Sequence, residues 1–244
     1  RSAVPPHEEL AQYHGSRAEF RFDLGLFDVA DADLDAAERH ARAAGTPDAR
    51  FDVLTIRLNQ YLGLGRFDRV VELTAERAEF GAERAHELAV YRATALRFLR
   101  RERPDAHAEA RELLDAAIGS GTLEPGLRAT ARHKRLALAL DEGDLESAEA
   151  DRIQLEAERP LSAAGFASAS HDLVDYDLVD YDLVDYDTVA LGTRTLLARG
   201  RTEELAARRP LLAAAFAALL ARWDAAERRE AGLGRLHLDR WNRL

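Results

Sequence analysis

Histidines are the first residues to consider, because imidazole can ligate a metal or act as a general base at neutral pH. No two of them are four residues apart and no His-Glu-x-x-His motif occurs, so no zinc site is carried on one helix. His7, Glu8, Glu9 and His14 could be drawn as a ligand cluster, but exposed polar residues of a first helical turn explain them better. We therefore expect no metal and no cofactor. The eight histidines are His7, His14, His40, His86, His107, His133, His171 and His237.

Other catalytic motifs are missing as well. The chain has no cysteine, which excludes disulfides, zinc-thiolate sites and cysteine nucleophiles. Lys134 is the only lysine and Arg135 follows it, so there is no phosphate-binding P-loop. Gly63 and Gly65 resemble the start of a dinucleotide loop, yet no strand precedes them. Carboxylates are abundant, but no pair stands out, so a metal-dependent hydrolase is the least favoured hypothesis and we expect no enzymatic activity.

Charge and composition limit the partners. The 244 residues include 34 basic and 44 acidic side chains, a net charge of −10, which argues against nucleic-acid binding. No apolar run is long enough to span a membrane. Methionine is absent even at position 1, so we expect that the natural start has been lost. The dominance of Ala, Leu, Arg, Asp and Glu is typical of a bacterial high-GC genome, and we expect a cytoplasmic protein.

Apolar residues recur at three- and four-residue spacing along most of the chain, as in amphipathic helices. Leu54, Leu58 and Tyr61 form one such face, and Leu88, Tyr91 and Ala95 form another. Glycine-containing breaks separate these segments, at 45–47, 63–65, 119–121, 143 and 200. The sequence therefore predicts an all-α protein of helices joined by tight turns.

Similar segments recur where the second helix of each pair should begin. They are Asp33–Ala37, Arg66–Val70, Ala108–Ala110, Asp144–Ala148 and Arg201–Leu205. Leu34 and Phe67 are 33 residues apart, and Phe67 and Leu145 are 78 apart, or two steps of 39. This spacing indicates a helix–turn–helix array with a period in the thirties.

These segments resemble the tetratricopeptide repeat. The first unit offers Leu24-Gly25 and Ala37, the second Tyr61, Gly65 and Phe67, the third Tyr91, Ala95 and Phe98, the fourth Gly143, Leu145, Ala148 and Pro160, and a degenerate fifth Leu191-Gly192 and Gly200. An unrelated helical bundle or another α-solenoid is the alternative. The resemblance implies an α-solenoid of about five helix–turn–helix repeats over residues 1–208, with C-terminal capping helices over 209–244. Trp223 and Trp241 lie in the latter, where a homodimer contact is possible.

An acidic insert interrupts the array over 162–187. Its core, 171–187, repeats Asp-Leu-Val-Asp-Tyr three times and holds seven aspartates without a basic residue. A period of five gives no constant face in a helix or a strand, so the unit suits neither. A solvated segment made by local duplication is the simplest interpretation. Recruitment of a basic partner is a further hypothesis, and the spacing does not match an EF-hand calcium loop.

The resemblance also implies a function. In such arrays the first helices line a concave groove that can clamp an acidic or carboxylate-ended peptide. Transferred to this sequence, the expected groove residues are Thr55, Asn59, Arg92, Leu96, Arg100, His133 and Lys134. Ordinary solvated residues that pair with nearby carboxylates are the alternative for each. We therefore expect a non-enzymatic adaptor that binds a protein or peptide partner. The competing hypothesis is a regulatory sensor, gated by the acidic insert in response to a basic partner or a divalent ion.

Overall fold

The structure is a computed structural model that describes residues 6–75, 77–158, 179–214 and 217. These ranges are helical and contain no β-strand, which confirms the all-α prediction for them. No helix within them is both long enough and apolar enough to cross a membrane.

Within each described range the helices follow one another with short connections, as the glycine breaks predicted. They are α1 (His7–Asp23), α2 (Phe27–Ala44), α3 (Pro47–Gly63), α4 (Phe67–Leu73), a 3₁₀ helix (Arg77–Phe80), α5 (Ala82–Phe98), α6 (Ala106–Gly119), α7 (Pro125–Glu142), α8 (Leu145–Glu158), α9 (Val179–Ala198) and α10 (202–214).

Side-chain caps fix the start of two helices. Thr46 Oγ1 accepts a hydrogen bond from the Ala49 N–H at 3.4 Å, and Pro47 occupies the first turn of α3, where its missing N–H costs nothing. Asp144 Oδ1 accepts from the Ser147 N–H at 3.1 Å before α8. The sequence therefore sets both starts locally.

One glycine turn joins the helices of four pairs. Gly25, Gly65, Gly143 and Gly200 have φ values of 72, 68, 76 and 67°. Each glycine N–H donates to the carbonyl three residues earlier, and the next N–H donates to the carbonyl five residues before it. This is the Schellman arrangement, in which a left-handed residue satisfies the last helical carbonyls. The same turn at four places is structural evidence for an internal repeat.

We expect Gly25→Ala to lower the free energy of unfolding by about 1–2 kcal/mol, the usual cost of a left-handed L-residue. A Cβ at Gly25 meets nothing within 4 Å, so backbone strain is the only source of the loss. Gly119→Ala is the matched control, because a Cβ there is equally unobstructed and its φ is not positive. Urea denaturation of both variants measures the difference, and an equal loss in the two would contradict this account.

The chain divides into two compact units, Arg1–Glu124 and Pro125–Leu244. In the first unit α1 packs on α2, and α3 contacts both of them; α4 then contacts α3 and α5, and α5 packs on α6. In the second unit α7 packs on α8, and α9 contacts both. Each unit therefore consists of helices packed in neighbouring pairs.

Small residues line the contacts between paired helices. Ala37, Ala95 and Ala148, which the repeat pattern places on packed faces, are all 0% exposed. The core of the first pair also contains Ala18 and Leu34, and that of α7 and α8 is built from Ala129, Leu136, Ala139, Ala148 and Leu155. Alanine side chains are small, so the axes of paired helices can lie close together. Alanine therefore makes up much of the core between the paired helices.

Two sequence predictions fall largely outside the described residues. In the acidic insert, 162–178 is not described, and the backbone of 179–187 forms the first half of α9. The expectation that the period-five unit suits no regular structure is therefore wrong for that half. Val189 and Leu196 are 0% and 1% exposed, so the second half of α9 is packed in the core of the second unit. For the capping helices, 209–214 continues α10 across Pro210, and Trp223 and Trp241 are not described.

Candidate functional site

An arginine recurs at one position of the first helix in four pairs. Arg17, Arg57, Arg92 and Arg135 each lie ten residues after the first residue of their helix, in α1, α3, α5 and α7. Three of them pair with a carboxylate on the second helix of the same pair. This common position gives a structural register for comparing the predicted groove residues.

In the first pair, Asp33 is the acceptor. Arg17 donates from Nε to Asp33 Oδ2 at 2.9 Å and from NH2 to Oδ1 at 2.5 Å, and Arg21 NH1 donates to Oδ2 at 2.5 Å. Burial alone would raise the pKa of Asp33, but the hydrogen bonds and charges of the two arginines outweigh it and hold the pKa below its ordinary value. Asp33 is 3% exposed, so this pair fastens α1 to α2 from within.

The same arrangement occurs in the second unit. Arg135 donates from Nε to Asp151 Oδ2 at 2.8 Å and from NH2 to Oδ1 at 2.6 Å, and Asp151 is 2% exposed. Each aspartate follows its arginine by sixteen residues in both pairs. The ion pair between paired helices is therefore a repeated structural element.

Arg92, an expected groove residue, has this structural role. Its Nε donates to Glu109 Oε1 at 2.7 Å and its NH1 donates to the Val71 carbonyl at 2.7 Å, and its side chain is 14% exposed. The guanidinium thus ties α5 to α6 and to the end of α4. A peptide carboxylate would have to displace both contacts to reach it.

In this register the expected groove residues of α5 do not align with those of α3 and α7, and all of them stay predictions. Thr55 and His133 lie two residues before Arg57 and Arg135, so the equivalent residue of α5 is Val90, and Arg92 is two residues out of step. The turn before α6 also lacks the Gly-x-Phe or Gly-x-Leu pattern that follows α1, α3 and α7.

The remaining groove residues fall into two groups. Leu96 and His133 are 0% and 3% exposed and belong to the packed interior, so neither offers a surface to a ligand. Asn59 and Arg100 are exposed, while Thr55 and Lys134 are half-buried. Thr55 Oγ1 donates to the Asp52 carbonyl at 2.9 Å. Asn59 and Thr55 share one face of α3 and remain predicted binding residues, as do Arg100 and Lys134.

A cleft on the other side of α3 has the chemistry expected of a peptide site. It measures about 280 Å³ and lies between α2, α3, α4 and the 3₁₀ helix; we call it the arginine cleft. Arg50 and Arg57 lie about two turns apart on α3 and Arg42 lies on α2, and we call the apolar side chains of the lining its floor. The lining residues are Glu38, Arg42, Arg50, Val53, Leu54, Arg57, Glu72, Leu73, Ala75, Glu79 and Phe80.

The arginines at the rim are held by exposed carboxylates. Arg42 NH2 donates to Glu38 Oε1 at 2.5 Å, and Arg50 NH2 donates to Glu79 Oε1 at 3.0 Å while its guanidinium lies 5.5 Å from the centre of the Phe80 ring. Arg42 and Arg50 are 66% and 42% exposed. Exposed ion pairs contribute little stability, so a ligand carboxylate can replace either glutamate at low cost.

The third arginine lies deeper in the cleft. Arg57 is 16% exposed and donates from NH2 to Asp35 Oδ1 at 2.8 Å, with Glu38 Oε2 at 3.6 Å. Burial would lower the pKa of Arg57, but the two carboxylates raise it above its ordinary value. The side chain is therefore a permanent positive charge beside the apolar floor, where Val53 is 4% exposed.

No arginine of the arginine cleft is among the binding residues predicted from the sequence. Arg42, Arg50 and Arg57 are spread over two helices, and each has a carboxylate nearby in the sequence or the fold. Only Arg57 has a recognisable sequence signal. Like Arg17 and Arg135, it lies eight residues before a turn glycine.

No group of three or more His, Asp or Glu residues in the described ranges is arranged to hold a metal ion. Comparison with known proteins adds nothing to these observations: no protein-family model, no curated protein and no solved structure matches the chain.

Proposed function

We propose that the chain is a non-enzymatic adaptor built from tetratricopeptide-like helical pairs, and that it binds a carboxylate-ended peptide segment in the arginine cleft. The observation that carries the proposal is the cleft itself, in which two exposed, replaceable arginine–glutamate pairs stand over an apolar floor. The repeated glycine turn and the repeated arginine–aspartate pair lie within helical pairs and support the proposal that these pairs are copies of one repeat.

The mixed charge of the lining favours a peptide end over a uniformly acidic partner. Arg42 and Arg50 can donate to a terminal carboxylate in the planar two-bond geometry that guanidinium groups provide. Glu72 and Glu79 can accept from the backbone N–H groups that precede this carboxylate. The floor at Val53 and Phe80 can take an apolar last side chain, which gives most of the buried contact area in sites of this size.

Binding can be tested with a panel of fluorescent peptides that end in an apolar residue with a free carboxylate. Each peptide is compared with its C-terminal amide by fluorescence polarisation. We expect the double substitution Arg42→Gln with Arg50→Gln to weaken binding by about tenfold or more, since hydrogen bonds to charged groups contribute about 1.5–3 kcal/mol each. Amidation of the peptide should cause a similar loss.

The double substitution Thr55→Ala with Asn59→Ala is the matched control. Both residues are two positions from Arg57, and two positions along a helix correspond to a rotation of about 200°. These substitutions therefore alter the opposite face of α3, for which the sequence makes a competing prediction, and binding should be unchanged where the peptide occupies the arginine cleft. If the control loses binding while Arg42→Gln with Arg50→Gln binds normally, the peptide binds the face of α3 predicted from the sequence and not the arginine cleft. Equal binding of acids and amides would refute carboxylate recognition.

A further inference from the structure

Packing of α1 on α2 brings three histidines together that are far apart in the sequence. His7 and His14 lie two helical turns apart on α1, and His40 lies on α2. The centre of the His40 ring is 5.2 Å from that of His7 and 5.6 Å from that of His14, and the rings of His14 and His40 are nearly parallel. Among these side chains His7 is exposed and the other two are half-buried.

The contact between His7 and His40 is made by ring nitrogens. Their Nδ1 atoms are 3.0 Å apart, so one of them carries a hydrogen and the other accepts it. Zinc–imidazole bonds of about 2.0–2.1 Å at a tetrahedral angle place two ligating nitrogens about 3.3 Å apart. To bind one metal, the two nitrogens would have to separate by a few tenths of an ångström and the rings would have to turn until both Nδ1 lone pairs point at the ion, a rotation that the exposed His7 has room to make.

We propose that His7 and His40 bind a late first-row divalent metal ion, such as zinc or nickel, through their Nδ1 atoms, and that the metal links α1 to α2. Imidazole nitrogen is a preferred ligand of these ions. The ring that carries its hydrogen on Nδ1 shifts to the Nε2–H tautomer on binding, so both rings stay neutral and no proton is lost. Water completes the coordination shell, because no third protein ligand joins the site among the described residues.

His14 has a different role in this cluster. Its Nδ1 lies 3.0 Å from Arg17 NH2 and 3.7 Å from Asp33 Oδ1, so that nitrogen is directed to the buried ion pair. The ring stacks on His40 and fixes its orientation, which makes His14 a positioning residue. Asp33 itself is held by Arg17 and Arg21 and does not compete for the metal.

The site is independent of the proposed peptide binding, because none of its residues lines the arginine cleft. A metal on His7 and His40 would fasten the first turn of α1 to the last two turns of α2. Since the metal binds only the folded pair, its binding free energy adds to the stability of the first unit.

The test is zinc titration of the full chain without a histidine tag, by calorimetry and by thermal unfolding. We expect one saturable site in the first unit and, at a zinc concentration about ten times Kd, a rise in Tm of about 3–6 °C. His7→Ala and His40→Ala should each abolish this rise. Because His7 is the exposed first residue of α1, its substitution leaves the fold intact, which circular dichroism at 222 nm verifies.

His86→Ala is the matched control: its Nδ1 lies 2.9 Å from Thr122 Oγ1, in the same unit but outside the cluster, and it should keep the full response. His14→Ala should retain the site with affinity reduced by about 10–100-fold, as for other residues that orient ligands. Magnesium, which prefers oxygen ligands, should give no shift. An unchanged Tm of the wild-type chain, or an undiminished rise in His7→Ala, would overturn the proposal.

Discussion

Asp33→Ala is expected to lower the free energy of unfolding of the first unit by about 3 kcal/mol, the upper end of what hydrogen bonds to charged groups contribute, because Arg17 and Arg21 stay partly hydrated. Asp33 is 3% exposed and accepts three hydrogen bonds from Arg17 and Arg21. Without the carboxylate, two guanidinium groups remain near each other at the contact between α1 and α2. Chemical denaturation followed by circular dichroism measures the loss.

Asp35→Ala provides the matched control on the same helix. Asp35 also accepts a hydrogen bond from an arginine, Arg57, but its side chain is 59% exposed. Exposed pairs contribute about 0–1 kcal/mol, so the control should lose no more than that. If Asp33→Ala and Asp35→Ala lower the free energy of unfolding equally, burial does not explain the contribution of Asp33 to stability.

The pKa of Asp33 adds a dependence on pH. Because this pKa is lower in the folded than in the unfolded chain, the carboxylate contributes its full stability above the unfolded value of about 3.9. The contribution is lost as the pH falls through the folded pKa. The difference in stability between the wild type and Asp33→Ala should therefore shrink at low pH.

Arg152→Leu should destabilise the second unit by a similar amount, about 3 kcal/mol, for the opposite reason: it leaves Glu149 without the guanidinium that donates to both of its oxygens, whereas Glu156 keeps its ion pair with Arg208. The side chain of Arg152 is 9% exposed and donates to both Glu149 Oε atoms, at 2.7 and 2.8 Å, and to Glu156 Oε2 at 2.7 Å. Leucine retains much of the packing volume, so the loss reports mainly on charge. Denaturation at pH 7 measures it.

Acidification should reduce this effect. The hydrogen bonds of Arg152 are the main reason that the pKa of Glu149 is lowered, against the opposing effect of burial. In the variant the pKa of Glu149 rises, and protonation removes the unpaired charge. The stability gap between the two proteins should therefore be smaller at pH 4 than at pH 7, and a constant gap would contradict the charge explanation.

Arg69→Leu serves as the control for Arg152→Leu. Arg69 pairs with Glu72 at 2.6 Å with a three-residue spacing, like Glu149 and Arg152, but both side chains are more than 60% exposed. Its substitution should change stability little at either pH. Since the spacing is shared, burial is the variable that the comparison isolates.

The helical class and most helix boundaries could be predicted from the sequence, because they depend on local signals. Thr46 with Pro47 sets a helix start, and Gly25 and Gly65 set helix ends, each within a few residues of chain. The same local signals fixed the fourth pair through Gly143. After α5 no glycine marks the turn, so no such signal sets the end of that helix or the register of Arg92.

The candidate sites could not be predicted in the same way, since they depend on contacts between helices. His7 and His40 are 33 residues apart, and only the packing of α1 on α2 brings their nitrogens to 3.0 Å. Arg50 meets Glu79 over a separation of 29 residues. Contacts of this kind produce no periodic pattern in a single sequence. Arg17 and Arg135, in contrast, could have been identified because each lies eight residues before a turn glycine.

The sixteen-residue separation of the buried arginine–aspartate pairs also has a consequence for how the chain reaches its folded state. Arg17 with Asp33, and Arg135 with Asp151, close short loops, so their formation requires little ordering of distant segments. Contacts that are local in sequence are associated with rapid folding. The pairs α1–α2 and α7–α8 can each assemble soon after both of their helices leave the ribosome, before the rest of the chain has been synthesised.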